Sequence, residues 1–199
     1  MVLTHPDFRR RGFASHLVRT AIERADALKI PSIKLDATED GRPLYEAFGF
    51  RAEQPVERWQ KAGDRNASFS GKSVLADRIA DLDGEACGYD RMGLLQGLAE
   101  RSSFIVEECG YALTRPGRIA SYIGPMIAGS KDIARRMITA KKLGTAAWFW
   151  DLLPTNTEAV ALACELGFAP VRRLTRMVRG EDLRGNEQHI YAIAGFELG

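Results

Sequence analysis

The chain has little of what would mark it as secreted, membrane-spanning or metal-dependent. Cysteine occurs only three times. Cys87, Cys109 and Cys164 are scattered and odd in number, without metal-ligand spacing, which argues against both a disulfide framework and a cysteine metal centre. No run approaches the ~18 apolar residues that a membrane helix needs. The first residues lack the charged-then-apolar order of a secretory signal, because Arg9, Arg10 and Arg11 arrive after Val2 and Leu3. A surplus of one charge is also missing. The net charge is +2 and the pI near 8.5, so no strong field selects nucleic acid or an anionic membrane. The expected setting is reduced and cytoplasmic. What is present is ordinary globular protein: 199 residues, 45% hydrophobic and 27% charged, enough for one large domain or two small ones.

Periodicity organises the chain. Met1–Thr4 reads as the end of a strand, broken by His5-Pro6-Asp7. Ala14, Leu17, Val18, Ala21, Ile22, Ala25 and Leu28 form a helical stripe that ends at Pro31. Ile33 and Leu35 alternate with polar neighbours as in a half-buried strand. Asp40 and Gly41 open a short helix, with Pro43 in its first turn and Gly49 at its end. Val56–Trp59 reads as a further strand. Gly63, Asn66, Ser68, Ser70 and Gly71 make residues 61–72 the best linker. Helices are expected near Ala76–Cys87 and Arg91–Arg101, a hairpin from Phe104–Glu107 and Tyr111–Thr114, and a strand over Ile119–Ile127. Next come a helix carrying Ile133, Ala134, Met137 and Ile138 and an aromatic strand over Ala146–Trp150. Thr155 and Glu158 have capping-box spacing ahead of a helix stripe ended by Gly167. Leu174–Val178 and Ile190–Ile193 read as late strands. Leu44, Gly49, Phe50 and Arg58 recur as Leu162, Gly167, Phe168 and Arg176 at one constant offset, with the same order of elements around them, which suggests an internal duplication.

The chemistry concentrates in Arg9-Arg10-Arg11-Gly12-Phe13-Ala14, between a strand end and a helix start. Free N–H groups at a helix N-terminus point outward and carry partial positive charge. Gly12 and the small Ala14 allow the backbone to approach a ligand closely, and the arginines add charged donors. Such a loop suits a phosphate or pyrophosphate. A solvated basic turn capping a helix explains the same residues.

The pattern Arg9-x-x-Gly12-x-Ala14, preceded by His5-Pro6, resembles the acetyl-coenzyme A signature of the GNAT N-acetyltransferases. Leu44-Tyr45-Glu46-Ala47-Phe48-Gly49-Phe50 resembles that family's Leu-Tyr-x-x-x-Gly-Phe helix, and the spacing between them holds one helix, one strand and one loop. The resemblance implies an α/β (α+β) fold, a GNAT-like mixed sheet flanked by helices. It implies that acetyl-CoA is a co-substrate, with the loop from Arg9 through Arg10, Arg11, Gly12 and Phe13 to Ala14 at the pyrophosphate. Leu3 and Thr4 would hydrogen-bond the pantetheine arm. Tyr45 would be the general acid that protonates the leaving thiolate, although its ring could equally just pack beside Phe48. The acceptor would be an amine of a small molecule or peptide, and no metal is involved. Asp36 and Glu39 stand where a base could face the amine, but surface solvation explains both, and neither is assigned.

The second half resembles the GNAT-like C-terminal domain of tandem bacterial proteins through Gly124-Pro125 and Asn156-x-x-Ala159-x-x-Leu162-x-x-x-x-Gly167-Phe168. Ala163 stands in the place of Tyr45, and Ala128–Asp132 is not an Arg-x-x-Gly-x-Ala loop. This half therefore reads as a degenerate copy serving as substrate-side wall, dimer surface (a homodimer) or structural cover. Trp148, Phe149 and Trp150 could line a pocket there, or pack as an ordinary strand. The expected division is a partial GNAT domain at 1–60, a linker at 61–72 and a GNAT-like domain at 73–199. The family's fold opens with strands and two helices ahead of the motif loop, so the resemblance implies an N-terminally truncated copy. An acetyltransferase and a non-catalytic binding or assembly module, or an incomplete enzyme, remain the competing readings. Intact Tyr45 favours the first and the absent opening strands favour the second.

Overall fold

The computed structural model describes residues 2–62, 77–140 and 147–198. Met1, most of the linker expected at 61–72, and Ala76 and Ala146 at the ends of two expected elements lie outside them. The chain forms two packed units. One comprises the chain up to Gln54 together with Leu174–Asp182, and the other Pro55–Arg173 together with Leu183 onward.

In the first unit, helix α1 spans Phe13–Ala27 and buries Val18, Ile22 and Ala25 along one stripe. It closes with Lys29 at φ 55° and the Ile30 N–H donating to the Ala25 carbonyl, a Schellman-type end. Strand β1 follows at Ser32–Ala37, then the short helix α2 at Arg42–Glu46 and strand β2 at Arg51–Ala62, which belongs to this unit only as far as Gln54. Strand β7, Ala169–Gly180, returns late in the chain, and its last six residues pair antiparallel with β1, Thr175 opposite Ala37 and Gly180 opposite Ser32. Val18, Ile22, Ala37, Phe50 and Met177 form the core of this unit, with Tyr45, Leu44, Phe48 and Val2 packed against it.

The second unit holds helices α3 (Asp77–Cys87) and α4 (Met92–Ala99), then the hairpin of β3 (Ser103–Glu107) and β4 (Gly110–Arg115). Strand β5 (Ser121–Ala128) and helix α5 (Lys131–Thr139) come next. Strand β6 (Ala147–Leu152), helix α6 (Thr157–Glu165) and strand β8 (Ile190–Ala192) complete it. β5 and β6 run parallel, whereas β4–β5, β5–β8 and β2–β6 are antiparallel, so the sheet is mixed. Its hydrogen-bonded order is β1-β7-β2-β6-β5-β4-β3, with β8 on β5. Trp148 and Trp150 are buried in this core with Trp59, Met126, Leu162 and Tyr191, and the Trp150 indole N–H donates to the Tyr191 carbonyl at 2.7 Å.

Three local expectations need correction. Val2–Thr4 lies in no strand, and no strand of the described residues pairs with it. Helix α6 is capped by Asn156, whose side chain accepts from the Ala159 N–H at 3.0 Å, rather than by Thr155. Glu158, expected to complete that capping box, instead accepts from the Tyr191 hydroxyl. β2 and β7 are also each much longer than their apolar cores suggested. Gln54, Arg58 and Arg176 take inward positions along them and hide the alternation.

The recurring residues adopt matching geometry in the two units. Gly49 and Gly167 have φ of 82° and 79°. The next N–H, of Phe50 or Phe168, donates five residues back to the carbonyl of Tyr45 or Ala163. Arg58 lies directly across the ladder from Asp151 and pairs with it through two bonds of 2.7 and 2.6 Å. Arg176 lies across from Asp36 and pairs at 2.9 and 3.1 Å.

Candidate functional site

A 3-10 turn over Pro6–Phe8 leads into the arginine loop, held by the His5 carbonyl accepting from the Phe8 N–H. Arg10 and Gly12 both take positive φ, 58° and 82°. That conformation costs Arg10 steric strain and costs glycine nothing. Gly12 is the N-cap of α1 and supplies no side-chain cap, and the first turn of the helix contains no acidic residue. The leading N–H groups of α1 therefore lack intrahelical partners and keep their partial positive charge. A side chain at Gly12 would meet no atom within 4 Å, so the space beside this N-cap is open.

The three arginines reinforce this field. Arg42, Arg58, Arg91 and Arg176 each hold a carboxylate. Among the described residues, none of Arg9, Arg10 and Arg11 does. The Arg9 Nε reaches only the Thr4 carbonyl, at 3.4 Å. Leu3, expected beside it on a strand, is 79% exposed. The Arg11 guanidinium sits over two aromatic rings, 5.4 Å from the centre of Phe8 and 5.6 Å from that of Phe13. Phe8 carries no signal in the sequence pattern, and only the folded loop brings it to Arg11.

Tyr45 projects from α2 and packs on the core that includes Val18 and Ile22 of α1, so tyrosine and arginine loop belong to one packed body. Its ring makes an edge contact with Phe50 at 5.8 Å. No described residue bonds its hydroxyl. Partial burial raises the hydroxyl pKa above 10, because desolvation disfavours the phenolate. The group stays protonated at neutral pH and can donate.

The two carboxylates near the end of β1 differ. Asp36 is buried and committed to Arg176, whereas Glu39 is exposed and accepts from the Thr175 hydroxyl at 3.4 Å.

Among its described residues the second unit lacks these features. Ala163 is fully buried. The N-terminus of α5 is capped by the Ser130 side chain, and Lys131 pairs with Glu165. Trp148, Phe149 and Trp150 are all buried.

Comparison with known proteins narrows the possibilities. Residues 79–192 match the family model of the acetyltransferase (GNAT) domain, and residues 1–50 match that of the acetyltransferase (GNAT) family. The uncharacterized N-acetyltransferase YitH of Bacillus subtilis (strain 168) is 29% identical over 220 residues, covering all of this chain and 75% of YitH. A crystal structure of a proposed acetyltransferase from Pyrococcus horikoshii superposes with a TM-score of 0.83 at 24% identity, covering 97% of this chain and 68% of that one. A tandem GNAT protein from the clavulanic acid biosynthesis pathway gives 0.54 at 15% identity, over 89% of this chain and 73% of its own. At such identities the two structures speak to the fold alone.

Proposed function

The chain belongs to the GNAT family of acetyltransferases, and from that premise we propose that it transfers an acetyl group from acetyl-CoA to an amine of a small molecule or peptide in the cytoplasm. The observation that carries this reading is the open, uncapped N-terminus of α1, beside arginines with no carboxylate partner and in one packed body with a proton-bearing tyrosine. The amides of the Gly12 loop would hold the pyrophosphate, and Leu3 and Thr4 would face the pantetheine arm. In the transfer, the amine nitrogen bonds to the thioester carbonyl carbon and the carbon–sulfur bond breaks. Tyr45 would give its proton to the departing sulfur, and the amine would lose one to solvent. Asp36, held by Arg176, is poorly placed to take that proton.

The second half is read as a GNAT-like copy without its own coenzyme site. The division is then a partial GNAT domain at 1–60, a linker at 61–72 and a second domain at 73–199, with a homodimer among its possible assemblies. The shared geometry at Gly49/Gly167 and Arg58/Arg176 supports duplication. A non-catalytic binding module is the second reading, favoured by Val2–Thr4 lying in no strand.

Titration calorimetry with coenzyme A tests the donor site. Gly12→Asp adds a carboxylate at the N-cap of α1, at a backbone φ of 82° that strains any side chain, and binding should weaken by about tenfold or more, whereas Gly12→Ala carries the strain without the charge and should weaken it less. Equal affinity for wild type and variant would remove the loop from the site. Coenzyme binding without acetylation of any amine would favour the second reading.

A further inference from the structure

Asp36 and Arg176 face each other across the β1–β7 ladder, although 140 residues apart in sequence. Both side chains are buried, and the guanidinium donates to both carboxylate oxygens, at 2.9 and 3.1 Å. Their neighbours on each strand point to the opposite face, because side chains alternate along a strand. There Leu35 lies opposite Met177 and Ala37 opposite Thr175. Leu35, Ala37 and Met177 belong to the core on which Tyr45 packs. A slip of one residue between β1 and β7 would exchange the two faces and empty that core. Apolar contacts alone tolerate small shifts along a strand, whereas a two-point bond between charged groups fixes distance and angle together.

The end of β1 leads directly to Tyr45. Just after the strand, the Thr38 carbonyl accepts the Gly41 and Arg42 N–H groups at 3.0 and 2.9 Å, and its hydroxyl accepts the Gly41 N–H at 3.1 Å. A Cβ at Gly41 would lie 3.7 Å from the Tyr45 ring, so the ring rests against this turn. Phe50 meets the same ring in an edge contact. Within the turn, Glu39 accepts from the Thr175 hydroxyl of β7. The matching pair of the second unit, Arg58 and Asp151, has no such tyrosine to hold, because Ala163 stands in its place. Resting on the transfer reading above, we propose that Arg176 is a positioning residue for acetyl transfer. By holding Asp36 it sets the register of β1 on β7 and, through the Thr38–Gly41 turn, the place of the Tyr45 hydroxyl. Proton donation needs that hydroxyl within hydrogen-bond reach of the sulfur, and a misplacement of about 1 Å can cost roughly 100-fold in rate.

The test replaces each pair by apolar residues in the full chain. Arg176→Met with Asp36→Leu removes the two-point bond without stranding a buried charge, so the fold should persist, which circular dichroism and urea unfolding check. Arg58→Met with Asp151→Leu is the control. One readout is steady-state transfer from acetyl-CoA to a panel of primary amines. The other is ring NMR of tyrosine-labelled protein, with Tyr45 identified by the signal lost in Tyr45→Phe. In the Arg176 double variant kcat should fall by about 10- to 100-fold with KM for acetyl-CoA unchanged. The Tyr45 signal should move as its contact with Phe50 changes. The control should alter neither. Arg176→Lys keeps the charge and loses the fork, so it should show the same changes to a smaller degree, and it decides the matter should the double variant fail to fold. Wild-type kcat with an unmoved Tyr45 signal in the Arg176 variants, or equal losses in the control, would overturn the proposal. A wild type that binds coenzyme A but acetylates no amine would overturn the transfer reading, while the Tyr45 signal still decides the positioning.

Discussion

Tyr45 packs its ring against the core while its hydroxyl bonds to no described residue, and the two roles separate in one substitution. Tyr45→Phe keeps the packing and removes the proton. Turnover should fall by ~10²- to 10⁴-fold where chemistry limits the rate, while coenzyme affinity stays constant. Unchanged kcat would remove Tyr45 from the mechanism. Because burial raises its pKa above 10, loss of the acid should not appear as an alkaline limb below about pH 10. Asp151 shows a different residue-scale balance. Burial raises its pKa, and the two bonds from Arg58 offset only part of that. A raised carboxylate pKa contributes stability that is present below the unfolded value and lost as pH rises through the folded one, so at neutral pH the buried charge is a cost. Arg58→Met alone strands that charge and should destabilise by about 3–5 kcal/mol. Arg58→Met with Asp151→Leu should return to within about 1–2 kcal/mol of wild type in urea unfolding at pH 7. A double variant as unstable as the single would show that the pair itself is net stabilising. The sequence pattern points to Arg58 through its repeat at Arg176. The carboxylate partners could not be read there, because both are set by strand register.

At the scale of elements, the helices were the most legible. The stripes of α1, α5 and α6 repeat at helical spacing, and Gly49 and Gly167 stop their helices with positive φ. The long strands were legible only in part. β2 spends inward positions on Gln54 and Arg58, and β7 spends one on Arg176, so a period-two search sees short apolar segments. The capping box was misplaced by one residue because Asn156 caps as well as threonine does and also donates to the Gln188 and Ile190 carbonyls. β7 also carries an energetic consequence. Met177 is fully buried among Val18, Ile22, Ala37 and Phe50, although it is far from them in sequence. Met177→Ala should cost about 2–5 kcal/mol in urea unfolding. The same loss should loosen the body that carries Tyr45 and the arginine loop, weakening coenzyme binding. A variant with wild-type stability would mean that this end of β7 is dispensable to the unit.

At the scale of the molecule, β2 and β7 each begin in one unit and end in the other. Neither unit can lose its structure without disturbing a strand that continues into the other. Thermal unfolding should therefore be a single event. All three tryptophans, Trp59, Trp148 and Trp150, lie in the second unit, so their fluorescence reports on that unit alone. Loss of coenzyme binding would report on the first. The two curves should coincide, and separated midpoints would show that the units melt independently. Four repeated residues, which share local geometry in the two units, were the part of this organisation visible in sequence. The return of Leu174–Asp182 to the first unit was not visible, because strand pairing between distant segments leaves no local pattern. This reciprocal loan of strands has a practical side. A gene cut anywhere between residues 63 and 76 yields one piece short of its closing strand and another short of its opening one. Each piece then carries the missing part of the other. Cutting the chain there therefore takes from each unit a segment that it packs around, and leaves that segment at the end of the other piece.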